Sequence, residues 1–391
     1  MSWETIRADE FCKSVRDGTH DTPKPTETGH KLVTGKHVKN GQIDPSDAYY
    51  ISEEDYEKIN ERSLVEQWDV LMSMIGTVGE VAVVKDHPNY AIKNVALFKC
   101  GGSELKGKWL AYYLRSSDAQ GHMSGNQKGS SQQFLSLKQL RSLPIPITDE
   151  RYMQRVIDIL SAYDELIENN QKQIKLLEEA AQRLYKEWFV DLRFPGHETT
   201  PIVDGVPEGW REQPLYQIAD VVMGQSPKSE YYNQVGEGLP FHQGVGSYGN
   251  RFVSDETYST SFTRIAEAGS ILFSVRAPVG RLNLTKNKVV IGRGLAAINH
   301  RRGAQSYLFY LLKEKFFRDD IIGNGSIFAS ISKEELLNQK FLIPIDSLVE
   351  QFNGIAGGID KKIDILSEQI RLLTEARNRL LPKLMSGEIE V

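Results

Sequence analysis

The sequence predicts an α+β protein in which one plan is built twice: two similar globular segments, each followed by a long helix. Three observations predict it. The chain repeats itself at an offset of 196 residues, both repeats end in a heptad pattern, and the segments before the heptads hold short β-branched or aromatic runs broken by Gly, Asn and Asp.

The repeat is clearest between Ile167–Leu184 and Ile363–Leu380. There Ile167, Gln173, Ile174, Leu176, Leu177, Glu179, Ala180, Arg183 and Leu184 recur as Ile363, Gln369, Ile370, Leu372, Leu373, Glu375, Ala376, Arg379 and Leu380, and Asp164 meets Asp360. Upstream the match continues with small gaps. Asp69–Gly79 resembles Ser270–Gly280, Trp109–Leu114 resembles Tyr307–Leu312, and Leu135–Ile147 resembles Ile331–Ile345. The openings, Val15–Pro23 and Val221–Pro227, match weakly. The division that follows is a globular segment 1–147, a long helix 148–194, a linker 195–209, a second globular segment 210–345, and a second long helix with its tail, 346–391.

Within the globular segments, VLMSMIG, EVAVV, NVALFKC, ILFSV and KVVIG read as strands, with one helix of moderate length in each half, around 108–115 and 306–317. In the long helices Leu160, Ile167, Ile174, Ala181 and Trp188 fall at a positions and Tyr163, Asn170, Leu177 and Leu184 at d. Their counterparts are Ala356, Ile363, Ile370, Arg377 and Leu384 at a, with Ile359, Leu366, Leu373 and Leu380 at d. Because 196 is a multiple of seven, both helices keep one heptad phase. A helix of about 40 residues is about 60 Å long. The expected pairing is an antiparallel intramolecular coiled coil that separates the two globular segments and relates them by a pseudo-two-fold axis. Asn170 is expected to fix its register, and Ser347–Glu350 reads as a capping box.

Composition excludes several classes. The net charge of -5 is not that of a simple nucleic-acid binder, but residues 1–150 carry −3 and residues 211–346 carry +3, so a local basic face is open to either half. Cys12 and Cys100 have no CxxC companion, which argues against zinc and against a disulfide framework. The first residues lack an apolar run, and no stretch is long and apolar enough for a membrane span. The expectation is a soluble cytoplasmic protein without a membrane partner.

At this point the chain resembles the specificity subunit of Type I restriction-modification systems. The resemblance rests on the duplicated domain–helix plan, the VPEGW opening of the second half (Val206–Trp210), the exits at Ile145–Pro146 and Ile343–Ile345, and the ending Arg379–Val391. The first half departs from the pattern, since it starts almost directly at Trp3. The resemblance implies that each globular segment is a target recognition domain reading one half of a bipartite double-stranded DNA sequence. It implies that the helices set the spacer and dock two modification (methyltransferase) subunits, joined in some systems by restriction subunits. It also implies that this chain has no catalytic residue and holds no metal and no cofactor. S-adenosylmethionine would bind the modification subunits, and ATP with Mg the restriction subunits.

Misleading motifs agree with a non-catalytic reading. The chain has no Pro-Pro, which an adenine methyltransferase loop would need. Ile291–Ala297 fits GxGxxA, but a tight turn that leaves Arg293 facing DNA explains it better. Gly102–Lys108 nearly spells a P-loop, but Trp109 stands where Ser or Thr would bind Mg²⁺. Glu104–Lys106 lacks a nuclease's preceding acidic residue, and the eight histidines form no HxxxH or HExxH cluster.

Sequence readout needs Arg, Lys, Asn, Gln, Ser or Thr at base edges and cations or amides on phosphates. The candidates for DNA contact in the first half are Thr19, His20, Lys36, Lys39, Gln127, Lys128, Ser130 and Gln132. In the second they are Gln225, Ser226, Lys228, Gln243, Arg276, Arg281, Arg293, Asn324 and Ser326.

Overall fold

The runs of apolar residues become central strands because both of their faces are covered. Val70–Ser73 and Val95–Lys99 are buried throughout, as are Ile271–Ser274 and most of Leu295–His300. The computed structural model describes residues 3–75, 78–124, 135–316 and 330–391. The chain forms two compact units: Met1–Asn170 with Gln369–Val391, and Gln171–Glu368. This cut differs from the five-part division at 147, 194, 209 and 345, since each unit takes a piece of both long helices. No described helix is long and apolar enough to cross a membrane.

In unit 1 a four-stranded antiparallel sheet runs Ser14–Asp17, Val95–Lys99, Val70–Ser73, Val81–Val83. In unit 2 the order repeats as Ala219–Met223, Leu295–His300, Ile271–Ser274, Leu282–Leu284. A second sheet in each unit is built around one parallel pair, His30–Val33 with Tyr90–Ile92 and Leu239–His242 with Val289–Ile291. Each domain is closed by its own ends: Glu4–Arg7 pairs with Pro144–Ile147, and Arg211–Pro214 with Lys340–Ile343, both antiparallel. The α+β repeat expected from the sequence is therefore present at the level of strand order.

The helix Glu104–Arg115 starts at the near-P-loop sequence. Ser103 caps it by accepting from the Lys106 amide, so those residues serve a helix N-terminus. Trp109 donates from Nε1 to the Pro146 carbonyl at 2.8 Å, tying this helix to the IPI strand. In unit 2 the matching helix is Gln305–Phe316. Phe273, fully buried in the central strand, packs edge-on against Phe316. Truncating such a core phenylalanine to alanine costs about 3–5 kcal/mol.

The first long helix spans Glu150–Tyr185 and continues through a wider turn over Lys186–Val190; the second spans Asp346–Met385. Their segments run antiparallel in each unit. In unit 1 the Tyr152 hydroxyl donates to the Ile389 carbonyl at 2.7 Å, Arg377 donates to Asp164 at 2.6 Å, and Asn170 donates to Gln369 at 3.2 Å. In unit 2 Tyr185 packs edge-on against Phe352, while Glu178 and Asp360 flank the same arginine, Arg251. The predicted seam is inward throughout. Leu160, Ile167, Ile363 and Leu366 are buried, and Ile174, Leu177, Leu184, Ile359, Ile370, Leu373 and Leu380 are half-buried. Trp188, also buried, joins the aromatic cluster of Phe189 and Phe352.

One cap differs from expectation. The second helix begins at Asp346, so Ser347 lies inside its first turn and the expected capping box is replaced. Asp346 places a carboxylate at the positive end of the helix dipole and pairs with Arg302 at 2.5 Å.

Candidate nucleic-acid interface

A glycine that cannot be anything larger organises the candidate face in each unit. In unit 2 a Cβ on Gly224 would stand 2.1 Å from the Gly292 carbonyl oxygen. This close approach lets the Gln225 amide donate to Ile291 at 2.9 Å and the Arg293 amide donate to the Ser226 hydroxyl at 3.2 Å. The Gly294 amide donates to the Gln243 carbonyl at 3.2 Å, and the Thr263 hydroxyl donates to the Gln225 carbonyl. Gln225, Ser226, Gln243 and Arg293 thus come together, with the Gln225, Gln243 and Arg293 side chains exposed. Gly292–Gly294 of the GxGxxA sequence form the turn joining Val289–Ile291 to Leu295–His300, and the rest of the match is strand, not the start of a helix.

Groups beneath fix this surface. His242, buried, sits 2.9 Å from the Ser247 hydroxyl and 3.1 Å from Asp255, which holds the residue preceding Gln243. Tyr232 stacks on Phe241 and donates to the Pro227 carbonyl at 2.8 Å, positioning Lys228, itself exposed and 3.8 Å from Glu230. The Val275 amide donates to Gly294 at 2.9 Å, so Arg276, exposed, follows beside the same turn. Arg281 is placed differently: it lines a cavity with Tyr248 and Arg251.

Unit 1 repeats the device. A Cβ on Gly18 would lie 2.3 Å from the Ile92 carbonyl oxygen, and the Thr19 amide donates to that carbonyl at 3.0 Å. His20, exposed, lies between Asn94 at 2.8 Å and the buried Asp17 at 3.0 Å. Asp17 is also held by Arg62, and Lys93 donates to the Thr22 hydroxyl. Lys36 is tied to Asp47 at 2.8 Å, and the buried His37 lies 3.0 Å from the same carboxylate. Burial lowers the His37 pKa against the pull of Asp47, favouring a neutral ring. Lys39 is exposed on the short strand Val38–Lys39. Gln127, Lys128, Ser130, Gln132, Asn324 and Ser326 lie outside the described residues.

Sequence reasoning missed Lys93 and Asn94. They follow the strand Tyr90–Ile92 as Gly292–Gly294 follow Val289–Ile291, so the repeat itself was the signal. Arg62 and Thr263 were also missed, and no local pattern marks them. Both faces offer donors and acceptors suited to base edges, with cations beside them suited to phosphates. Among the described residues no group of three His, Cys, Asp or Glu side chains is arranged to hold a metal ion.

Known proteins share this plan. The model of the Type I restriction modification DNA specificity domain matches residues 1–179 and again residues 207–378. The putative type I restriction enzyme MjaX specificity subunit of Methanocaldococcus jannaschii is 28% identical over 403 residues, covering 100% of this chain and 94% of that protein. The MjaIX specificity subunit of the same organism is 24% identical, covering 82% of this chain and 78% of its own. A crystal structure of a Type-I restriction-modification system S subunit from M. genitalium shares the fold at a TM-score of 0.57 and 16% identity, over 98% of this chain and 96% of that one. With the domain matched twice and most of the chain covered, this protein belongs to the Type I restriction modification DNA specificity family.

Proposed function

We propose that this chain is the non-catalytic sequence-reading subunit of a Type I restriction-modification complex, and that each unit reads one half of a bipartite double-stranded DNA target. The observation that carries this reading is the repeated glycine turn. Gly18 and Gly224 each press a strand end against a neighbouring carbonyl and set polar side chains beside a basic residue, Thr19 and His20 near Lys93, Gln225 and Ser226 near Arg293. Gln225, Gln243, Arg293, His20 and Asn94 are assigned to base edges, and Lys228, Lys39 and Lys93 to phosphates.

The long helices are assigned to partner docking. Leu166 and Leu372 in unit 1, and Leu176 and Ile365 in unit 2, are large apolar side chains at least half exposed. Two modification subunits would cover such surfaces, and restriction subunits would join where the system has them. This chain itself holds no cofactor; S-adenosylmethionine belongs to the modification subunits, and ATP with Mg to the restriction subunits.

The test is to co-express the chain with its modification subunit and map modified adenines across host DNA. A split motif with a fixed gap, lost when the chain is omitted, is expected. Methylation that is unchanged without the chain, or methylation by the purified chain alone, would overturn the reading.

A further inference from the structure

In unit 2 an aromatic ring stands in water beside the turn that carries Gln225 and Arg293. Phe262 is 51% exposed, yet the backbone on both sides of it is tied down. Ser259, fully buried, donates from its hydroxyl to the Ser261 carbonyl at 2.9 Å and accepts from the Ser261 amide at 3.2 Å. The Thr260 amide donates to the Tyr231 carbonyl at 3.1 Å, the Thr263 hydroxyl donates to the Gln225 carbonyl, and the Ile291 amide donates to the Arg264 carbonyl at 2.9 Å. The loop 260–264 is thus a fixed part of the candidate face. A single exposed phenylalanine needs no explanation by itself; its setting supplies one.

That setting is cationic. Arg264, Arg276 and Arg293 are exposed, and none of the three has an ion pair among the described residues. Two carboxylates of the same region are engaged, Glu230 at 3.8 Å from Lys228 and Asp255 at 3.1 Å from His242. A protein partner covering the ring would have to bury unpaired guanidinium groups, which is costly, whereas a duplex brings phosphates to them.

Unit 1 supplies a control at the same place in the repeat. A Cβ on Gly29 would stand 2.1 Å from the Ile51 carbonyl oxygen, as one on Gly238 would stand 2.1 Å from that of Ser259. Past Ile51, unit 1 builds the helix Glu53–Ser63, and Arg62 on it is paired with the buried Asp17. Past Ser259, unit 2 builds the short loop instead. Unit 1 ties its arginine to its own chain, and unit 2 leaves Arg264 free two residues from an exposed ring.

Resting on the reading that this unit binds duplex DNA, we propose that Phe262 packs on the C5-methyl group of one thymine in the half-site read by unit 2, with Arg264 on a neighbouring backbone phosphate. Gln225 and Gln243 suit the major-groove edge of adenine, and on that edge of the duplex an apolar ring has one counterpart, since thymine alone presents an alkyl group there. The ring makes Phe262 a specificity-determining residue that needs no hydrogen bond.

The test uses the complex with the modification subunit and a duplex carrying the motif found by adenine mapping. Each thymine of both half-sites, on either strand, is replaced singly by deoxyuridine, which removes only the methyl group. At least one thymine of one half-site is expected to be sensitive, the replacement weakening binding about four- to tenfold, the worth of one methyl group taken out of water. In Phe262→Ala that sensitivity should vanish, and the mapped motif should relax at that position alone. Phe262→Leu, still apolar, should keep the preference for thymine, which separates loss of the contact from loss of the fold. Arg264→Gln should weaken binding to every sequence and lower the slope of log affinity against log salt by about one. Half-sites without a uracil-sensitive thymine, or a sensitivity that survives Phe262→Ala, would overturn the proposal and leave the split motif, with the recognition reading, in place. Methylation indifferent to the chain would remove both.

Discussion

Asp164 and Asp360 occupy the same position in the two repeats, yet different partners hold them. Each accepts from a tyrosine of the preceding domain helix, Tyr112 at 3.0 Å and Tyr310 at 3.4 Å. Asp164 then meets Arg115 at 3.2 Å and, from the opposite long helix, Arg377 at 2.6 Å. Asp360 meets Arg251, a domain loop residue. The reason is one substitution: the repeat position of Arg377 in the first helix is Ala181, which is too short to reach a carboxylate. The repeat has kept the acceptor and moved the donor. In unit 1 an arginine of the opposite helix locks helix to helix directly, and in unit 2 the donor is a domain residue that stands between Asp360 and Glu178.

The largest way to break this comparison is to remove each acceptor. Asp360→Ala leaves Arg251 buried with its one hydrogen-bonded carboxylate gone, a loss of about 3–5 kcal/mol in urea unfolding. Asp164→Ala leaves Arg115 and Arg377, which are 19% and 14% exposed and can turn toward water, so a smaller loss of about 1–3 kcal/mol is expected. Equal losses would show that the depth of the cation does not matter.

The repeated glycines sharpen the comparison at the candidate DNA face. Gly18→Ala and Gly224→Ala each drive a methyl group into a carbonyl oxygen, and each should cost about 1–3 kcal/mol. The specific outcome concerns recognition. Adenine mapping with the modification subunit should show Gly18→Ala relaxing one half of the motif and Gly224→Ala the other. Loss of both halves from either variant would mean that the turns act on overall folding and not on readout.

Much of this was legible in the sequence, and the limits have physical causes. The repeat and the seam could be read because heptad spacing is local and Ile167, Leu177, Ile363 and Leu366 keep it without interruption. Sheet order could not, because the pairing of Ser14–Asp17 with Val95–Lys99 joins residues far apart in sequence. The helix Glu53–Ser63 went unread: Ile59 and Ser63 are its only buried residues, so it presents no apolar stripe, and its signal is the Ser52 cap accepting from Asp55. Lys36 illustrates the same limit at the candidate site, since nothing local announces its partner Asp47. Arg377 stands at an a position because Asp164 accepts from it across the seam, and nothing local in the sequence announces that partner.

Acid should act on unit 1 through that pair. Burial raises the Asp164 pKa, but Arg115 and Arg377 outweigh it and hold the carboxyl below its ordinary value. A carboxyl lowered in the folded state contributes stability that is present above the unfolded pKa, near 4, and is lost as pH falls through the folded value. Unfolding of unit 1 followed from pH 6 down to pH 2 should show that loss. Asp164→Asn should be less stable at pH 6 and lose less on acidification. An unchanged slope in the variant would assign the acid response to other carboxylates.

The smallest expected effect returns to the helix seam. Asn170, 6% exposed at a d position, donates to Gln369, while its repeat partner Leu366 is buried and apolar. Asn170→Leu would make the unit 1 seam like that of unit 2. It exchanges a hydrogen bond to an exposed glutamine for buried hydrocarbon, and the midpoint of unfolding should rise, by about 1 kcal/mol in stability. The same change should lower discrimination between helix registers, because a leucine packs in any apolar layer while an asparagine needs its partner. Adenine mapping then separates the two effects: a more stable variant whose motif gap is no longer unique would show that Asn170 trades stability for register, and a more stable variant with an unchanged gap would leave the Asp164–Arg377 pair as sufficient to hold it.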